Sequence, residues 1–176
     1  DTLKKRAEEF FLHYSVRATR GEQNINSAGD NIHNCKLSQN CFDCSGLEDC
    51  MHMTNCLMGA KDSGDIHIWG LGMELCYNGV VIGSKPQRVI CSYYVTEGPS
   101  DVLYSVFCSR NVKYLFGCVG LRHKEYCILN RQYSKDEYMD LAGRIAAHMQ
   151  KTDEWGLYFP PEISMFGYNE TAANVL

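Results

Sequence analysis

From Asn31 to Asn130 the chain runs in groups of three to six apolar or β-branched positions, punctuated by Gly, Asn, Asp or Ser. Asp65-Ile66-His67-Ile68-Trp69-Gly70, Gly79-Val80-Val81-Ile82-Gly83 and Arg88-Val89-Ile90-Cys91-Ser92-Tyr93-Tyr94-Val95 show the pattern. Runs of this kind predict short strands joined by tight turns. The ends of the chain keep a different period. Leu3, Ala7, Phe10, Phe11 and Tyr14 form one helical stripe, with Lys4, Lys5, Glu8 and Glu9 opposite, so an amphipathic helix is expected within residues 1–16. The polar segment Arg17 to Asp30 reads as the approach to the first coil. After Asn130, Ser134-Lys135-Asp136-Glu137 is a capping box, followed by Tyr138, Leu141, Ile145 and Met149 at helical spacing. That predicts a helix from about Lys135 to Gln150. The aromatic remainder from Trp155, with Pro160-Pro161, should run extended.

The cysteines punctuate the middle of this pattern. Cys35 to Cys50, Cys41 to Cys56 and Cys76 to Cys91 are steps of fifteen residues, Cys91 to Cys108 is seventeen and Cys108 to Cys127 nineteen. A loose period of fifteen to twenty residues is the mark of a solenoid, whose units bury their apolar faces only by stacking. Asn or Asp precedes Cys at Asn34-Cys35, Asn40-Cys41, Asp43-Cys44, Asp49-Cys50 and Asn55-Cys56. Asn tolerates the left-handed conformation at a turn, which sets the following Cys facing inward. Only Asn78-Gly79 offers a hairpin dipeptide, so parallel coils are favoured over an antiparallel sandwich. The expected fold is mainly β: a short right-handed parallel β-helix over 31–130, an N-terminal helix, and a C-terminal cap over 134–176 that shields the open β edge. The N-terminal helix is expected to shield the other end. Asp101 to Cys108 also aligns without a gap on Asn111 to Cys118, an offset of ten residues that reads as two faces of one coil.

At 176 residues the chain suits a single domain, 1–176, with a real core. A net charge of -4 and a pI of about 5.8 leave no basic footprint for nucleic acid. No apolar run approaches the roughly 18 residues of a membrane span. The ten cysteines sit in a chain with ample Leu, Ile, Val, Tyr and Phe, so disulfides are not needed to hold it together. Reduced thiols packed as small hydrophobes are expected, which points to the cytoplasm. The chain begins at Asp1, so an upstream segment, with any targeting signal, is expected to have been removed.

Three groups of residues are candidates for chemistry. Cys41-Phe42-Asp43-Cys44 is the only Cys-x-x-Cys, and His33 and His52 could complete a zinc site, although the second knuckle of a zinc motif is missing. Asp62, Asp65, His67 and Glu74 surround Trp69 and could line a groove in which carboxylates act on a polysaccharide while an aromatic ring stacks on sugar. Arg122-His123-Lys124-Glu125 reads as an exposed turn before the last strand.

Leu115-Phe116-Gly117-Cys118-Val119-Gly120-Leu121-Arg122, Glu125 to Ser134, Glu154-Trp155-Gly156 and Phe166-Gly167-Tyr168-Asn169-Glu170-Thr171 together resemble an uncharacterised family of Cys- and Asn-rich bacterial repeat proteins, seen mainly in uncultured lineages. The resemblance spans about Asn24 to Ala173 and implies a repeat fold. Longer members carry a zinc-ribbon-like segment upstream, which makes this chain look like a fragment of such a protein. The family brings no activity to carry over. The functional expectation is a non-catalytic scaffold or interaction module for a protein or glycan partner, with no cofactor. The alternatives are a polysaccharide lyase or hydrolase acting through Asp62, Asp65, His67 and Glu74, and a zinc-binding module at Cys41, Cys44, His33 and His52.

Overall fold

A computed structural model describes residues 2–14 and 19–158 of the chain. Between the N-terminal helix α1 (Thr2–Leu12) and the C-terminal helix α2 (Lys135–Lys151), the chain winds into a β-solenoid of about eight turns. Every strand pairing is parallel until the last, in which Glu125–Ile128 and Arg131–Gln132 close antiparallel. Parallel pairing already begins at Gly21 and Glu22, opposite Ile32 and His33, so the Asn- and Gly-rich approach segment is itself coil from Gly21 onward. The coils are shorter than the cysteine spacing suggests. Gln39 faces Met51, a twelve-residue coil, and Met51 faces Gly64, a thirteen-residue one.

A coil this short has room for four sides of about three residues. From Ile32 to Leu121 each residue that starts an inward position follows one with positive φ, as in Asn34 before Cys35, Asp49 before Cys50, Leu75 before Cys76 and Asp101 before Val102. Thirty-four described non-glycine residues have positive φ, where a few per cent is ordinary. The corner is then locked from inside. Nine cysteines donate their thiol hydrogen toward the carbonyl two residues earlier, for example Cys44 to Phe42 at 3.1 Å and Cys76 to Glu74 at 3.3 Å. Ser38, Ser63, Ser92 and Ser105 donate in the same way at 2.8 to 3.0 Å. The Asn/Asp-Cys signal is therefore a corner followed by its lock.

Stacking places the inward residues in four columns. One runs Ser38, Cys50, Ser63, Cys76, Val89, Val102, Leu115, Cys127. Here and in the column of Ser92, Ser105 and Cys118, the hydroxyl that locks its own corner also accepts the N–H of the next coil, as Ser105 Oγ does from Cys118 at 3.1 Å. No buried side-chain nitrogen or oxygen among the described residues lacks a hydrogen-bond partner.

The ends and one flank are covered by different devices. α1 forms, but every one of its described residues is exposed, so it does not shield the first coil. Asn24 stands on that coil and bonds the next with its amide, Nδ2 donating to the Ile32 carbonyl at 2.8 Å and Oδ1 accepting from Cys35 N at 3.0 Å. At the other end Asn130 does the same with both backbone groups of Val119, at 2.8 and 2.9 Å, in place of a further strand. The turn into the antiparallel pair has Leu129 and Asn130 both at positive φ, as a type I′ hairpin requires.

α2 carries the expected capping box, with Glu137 N donating to Ser134 Oγ and Ser134 N to the Glu137 carboxylate. It covers the flank of the late coils. Tyr138 packs edge-on against the stacked rings of Tyr114 and Tyr126, Trp155 meets Tyr104, and Asn78 Nδ2 donates to the Gly156 carbonyl. Seventeen helical residues span about 25 Å. That length crosses the four coil steps, about 4.8 Å each, from Ile128 back to Tyr77. The segment expected to run extended lies from residue 159 outside the described residues.

Ser105 serves two neighbours at once, so Ser105→Ala removes a lock and leaves the buried Cys118 N–H without an acceptor. A loss of about 1 to 3 kcal/mol in unfolding free energy is expected by urea denaturation, with Ser105→Cys costing less because a thiol retains the donor.

Candidate functional site

The corners decide what each side of the solenoid presents. Cys41 and Cys44 point into the bore from adjacent columns and donate to their own corner carbonyls at Gln39 and Phe42. His33 and His52 point out, His33 toward Asn31 and His52 Nδ1 to Asp65 at 2.9 Å. The two thiols and the two imidazoles thus lie on opposite sides of the coil wall. Among the described residues no group of three or more His, Cys, Asp or Glu is placed to hold a metal ion.

Asp62, Asp65, His67 and Glu74 are spread over several sides. Asp62 and Asp65 are left-handed corner residues preceding the inward Ser63 and Ile66, and Asp65 is engaged by His52. His67 ends the Gly64–His67 strand on the next side. Glu74 belongs to the following strand, in register with Lys61 and Gln87. It continues a charge ladder in which Lys36 faces Glu48 and Glu48 faces Lys61, with a Lys36 to Glu48 contact of 3.1 Å. The Lys36 ammonium, with Lys61 behind it, holds the Glu48 carboxyl below the usual carboxylate range. Trp69 is not the centre of an acidic cluster, because its ring lies over Gly83 of the next coil. Arg122 and His123 are exposed, as expected of a turn.

The flank between the column ending at Cys118 and that of Cys44 carries a different chemistry. One outward corner column on it runs Asn31, Asp43, Asn55, Ile68, Val81, Tyr94, Phe107 and Gly120. Its first coils are polar, with Asn31 Nδ2 donating to Asp43 Oδ1 at 2.7 Å. Its later coils are apolar and exposed: Ile68 is 40 %, Tyr94 44 % and Phe107 44 % exposed. Tyr93, Val106 and Val119 widen the stripe in the neighbouring column. The rings of Tyr93 and Tyr94 lie 5.3 and 5.7 Å from that of Phe107. Sequence reading passed over this stripe, whose signal is an aromatic at thirteen-residue spacing, Tyr94 and Phe107.

These features define the chain as a β-solenoid protein with a bore of thiols and hydroxyls, a charged edge, and an exposed aromatic stripe on the flank beside the one that α2 covers. No protein-family model, curated protein or solved structure matches it. Among the described residues no helix is long and apolar enough to cross a membrane.

Burial pushes the thiols of Cys41, Cys50 and Cys76 up to about 11 from an ordinary 9.0. A raised thiol stays protonated in the fold while the unfolded chain ionises above its ordinary value. The stability this contributes is therefore complete below about pH 9 and is lost as pH rises toward about 11. The urea midpoint is expected to fall across that window, and to fall less for Cys76→Ser, whose hydroxyl does not ionise. Equal slopes for the two proteins would mean that Cys76 is not held as a buried thiol.

Proposed function

We propose that this chain is a non-catalytic β-solenoid interaction module that binds a protein or glycan partner along its aromatic flank. The observation that carries the reading is the change within one corner column from Asn31, Asp43 and Asn55 to Ile68, Val81, Tyr94 and Phe107. All of the latter have positive φ, from 53° at Tyr94 to 65° at Ile68. A left-handed residue other than Gly, Asn or Asp costs about 1 to 2 kcal/mol, and more for a β-branched side chain. Ile68, Tyr94 and Phe107 take that cost while 40 to 44 % exposed, so burial offsets only part of it. Departures from local rules without structural benefit concentrate at functional surfaces. Aromatic rings on a rigid frame suit either an apolar protein face or the flat face of a sugar. The parallel ladder beneath fixes the rings along the axis, so binding needs little ordering of the module. Ten unpaired cysteines support a reducing, cytoplasmic setting for this role.

The test is a glycan array together with a displayed peptide library, probed with the wild type and with a Tyr94→Ala, Phe107→Ala double variant. A ligand class is expected that the double variant binds at least about tenfold more weakly, roughly 1.4 kcal/mol, with its circular dichroism unchanged. Ile68→Asn is expected to weaken the same ligand while raising stability by about 1 kcal/mol, because Asn relieves the left-handed strain. Polysaccharide turnover that is abolished by Asp65→Asn with Glu74→Gln would replace this reading with a catalytic one.

A further inference from the structure

Nine of the ten cysteines point into the bore, and only one pair occupies consecutive places in a single column. Phe42 faces Thr54 and Ser45 N donates to the Cys56 carbonyl at 2.8 Å, so Cys44 and Cys56 stack directly, coil upon coil. Elsewhere Ser, Met, Val or Leu separates the cysteines along a column, as Ser63 separates Cys50 from Cys76. The Cys56 lock is also the loosest of the nine, with its sulfur 3.8 Å from the Thr54 carbonyl and 4.0 Å from that of Trp69. The neighbouring Cys56 thiol lowers the Cys44 thiol to about 7, while the same contact, together with burial, pushes Cys56 up. Beyond Cys56 stands Gly70, whose missing side chain leaves the sulfur space: a Cβ there would lie 3.3 Å from Cys56 Sγ.

We propose that Cys44 and Cys56 are a peroxide-oxidisable dithiol that staples two coils of the solenoid. The oxidant is hydrogen peroxide, which is little larger than water. The Cys44 thiolate attacks one peroxide oxygen and the O–O bond breaks. The departing hydroxide takes up a proton and leaves as water, and Cys44 becomes a sulfenic acid. The Cys56 sulfur then attacks the Cys44 sulfur, and the S–O bond breaks. The hydroxyl leaves with the Cys56 proton as a second water, and a disulfide remains. Two thiols are oxidised and one peroxide is reduced to two waters. Facing positions in parallel strands hold their Cβ atoms about 4.8 Å apart, beyond the roughly 3.5 to 4.5 Å of a relaxed disulfide. The bond thus pulls neighbouring coils together and is easily reduced, as labile regulatory disulfides are.

The full-length reduced protein is exposed to hydrogen peroxide in its native state, quenched, unfolded and alkylated, then digested with a protease that cuts before Asp. Cleavage before Asp43, Asp49 and Asp62 places Cys44 in one peptide and Cys50 with Cys56 in another, and fragmentation of the linked peptides shows which of the two is joined to Cys44. The expected result is a Cys44 to Cys56 crosslink, reversed by dithiothreitol, with the other eight thiols alkylated. In Cys56→Ser the expected product is a Cys44 sulfenic acid captured by dimedone. Oxidation scattered over other cysteines, or ten intact thiols in the wild type at peroxide levels that consume the thiols of the unfolded chain, would overturn the proposal. The wild-type result decides the matter even if the variant fails to fold.

Discussion

The structure depends on one repeated interaction: a residue forced into the left-handed region, followed by an inward side chain that donates a hydrogen bond back across it. A four-sided coil of twelve or thirteen residues must turn every three or four, and each turn leaves a carbonyl tilted toward the bore. Cys and Ser are small enough to fit there and carry a donor at the right distance. Thiol and hydroxyl therefore do two jobs, packing the core and holding the corner. Where neither occurs, as at Val89, Val102 and Val112, apolar volume fills the bore and the parallel ladder on either side maintains the turn.

This constraint sets the composition of the inside. Four inward side chains share each layer, so a large one must be balanced by small ones: Met53 lies with Cys50 and Cys56, and Met73 with Cys76 and Gly79. The cysteines are thus bulk filling for a narrow space, which explains why they point away from the imidazoles that might have joined them around zinc. The outside is free of this rule. It can therefore carry a charge ladder on one edge, α2 on a flank and aromatic rings on the next, all on the same frame. Both ends use an asparagine side chain as a substitute peptide, Asn24 at the first coil and Asn130 at the last.

Much of this was legible in the residues. The Asn/Asp-Cys pairs marked left-handed corners with inward thiols, and Ser134 with Glu137 marked the start of α2. The coil length was not legible from cysteines alone, because consecutive cysteines rarely share a column. Cys35 and Cys50 are one coil plus one corner apart, which turns a twelve-residue repeat into a fifteen-residue step. The ten-residue offset between Asp101–Cys108 and Asn111–Cys118 likewise counts three corners, one of them widened by Arg110 and Asn111. The aromatic flank was hidden for a different reason. Propensity argues against Val81, Tyr94 or Phe107 at a left-handed corner, and only the register of neighbouring coils shows that they stand where Asn55 stands. Cys91 looked like its fellows, yet it occupies a corner, ahead of the inward Ser92, and is buried by the flank that includes Tyr104.

The account rests on a bore packed with reduced, buried thiols, and thiol counting tests it most directly. Protein purified without reductant would be treated with a bulky thiol reagent near neutral pH, before and after unfolding, and its cysteines assigned by mass. The account predicts protection of the nine bore cysteines in the native state and reaction of all ten after unfolding. Prompt native labelling of Cys50, Cys76 or Cys118, or thiols that stay unreactive in the unfolded chain, would contradict it.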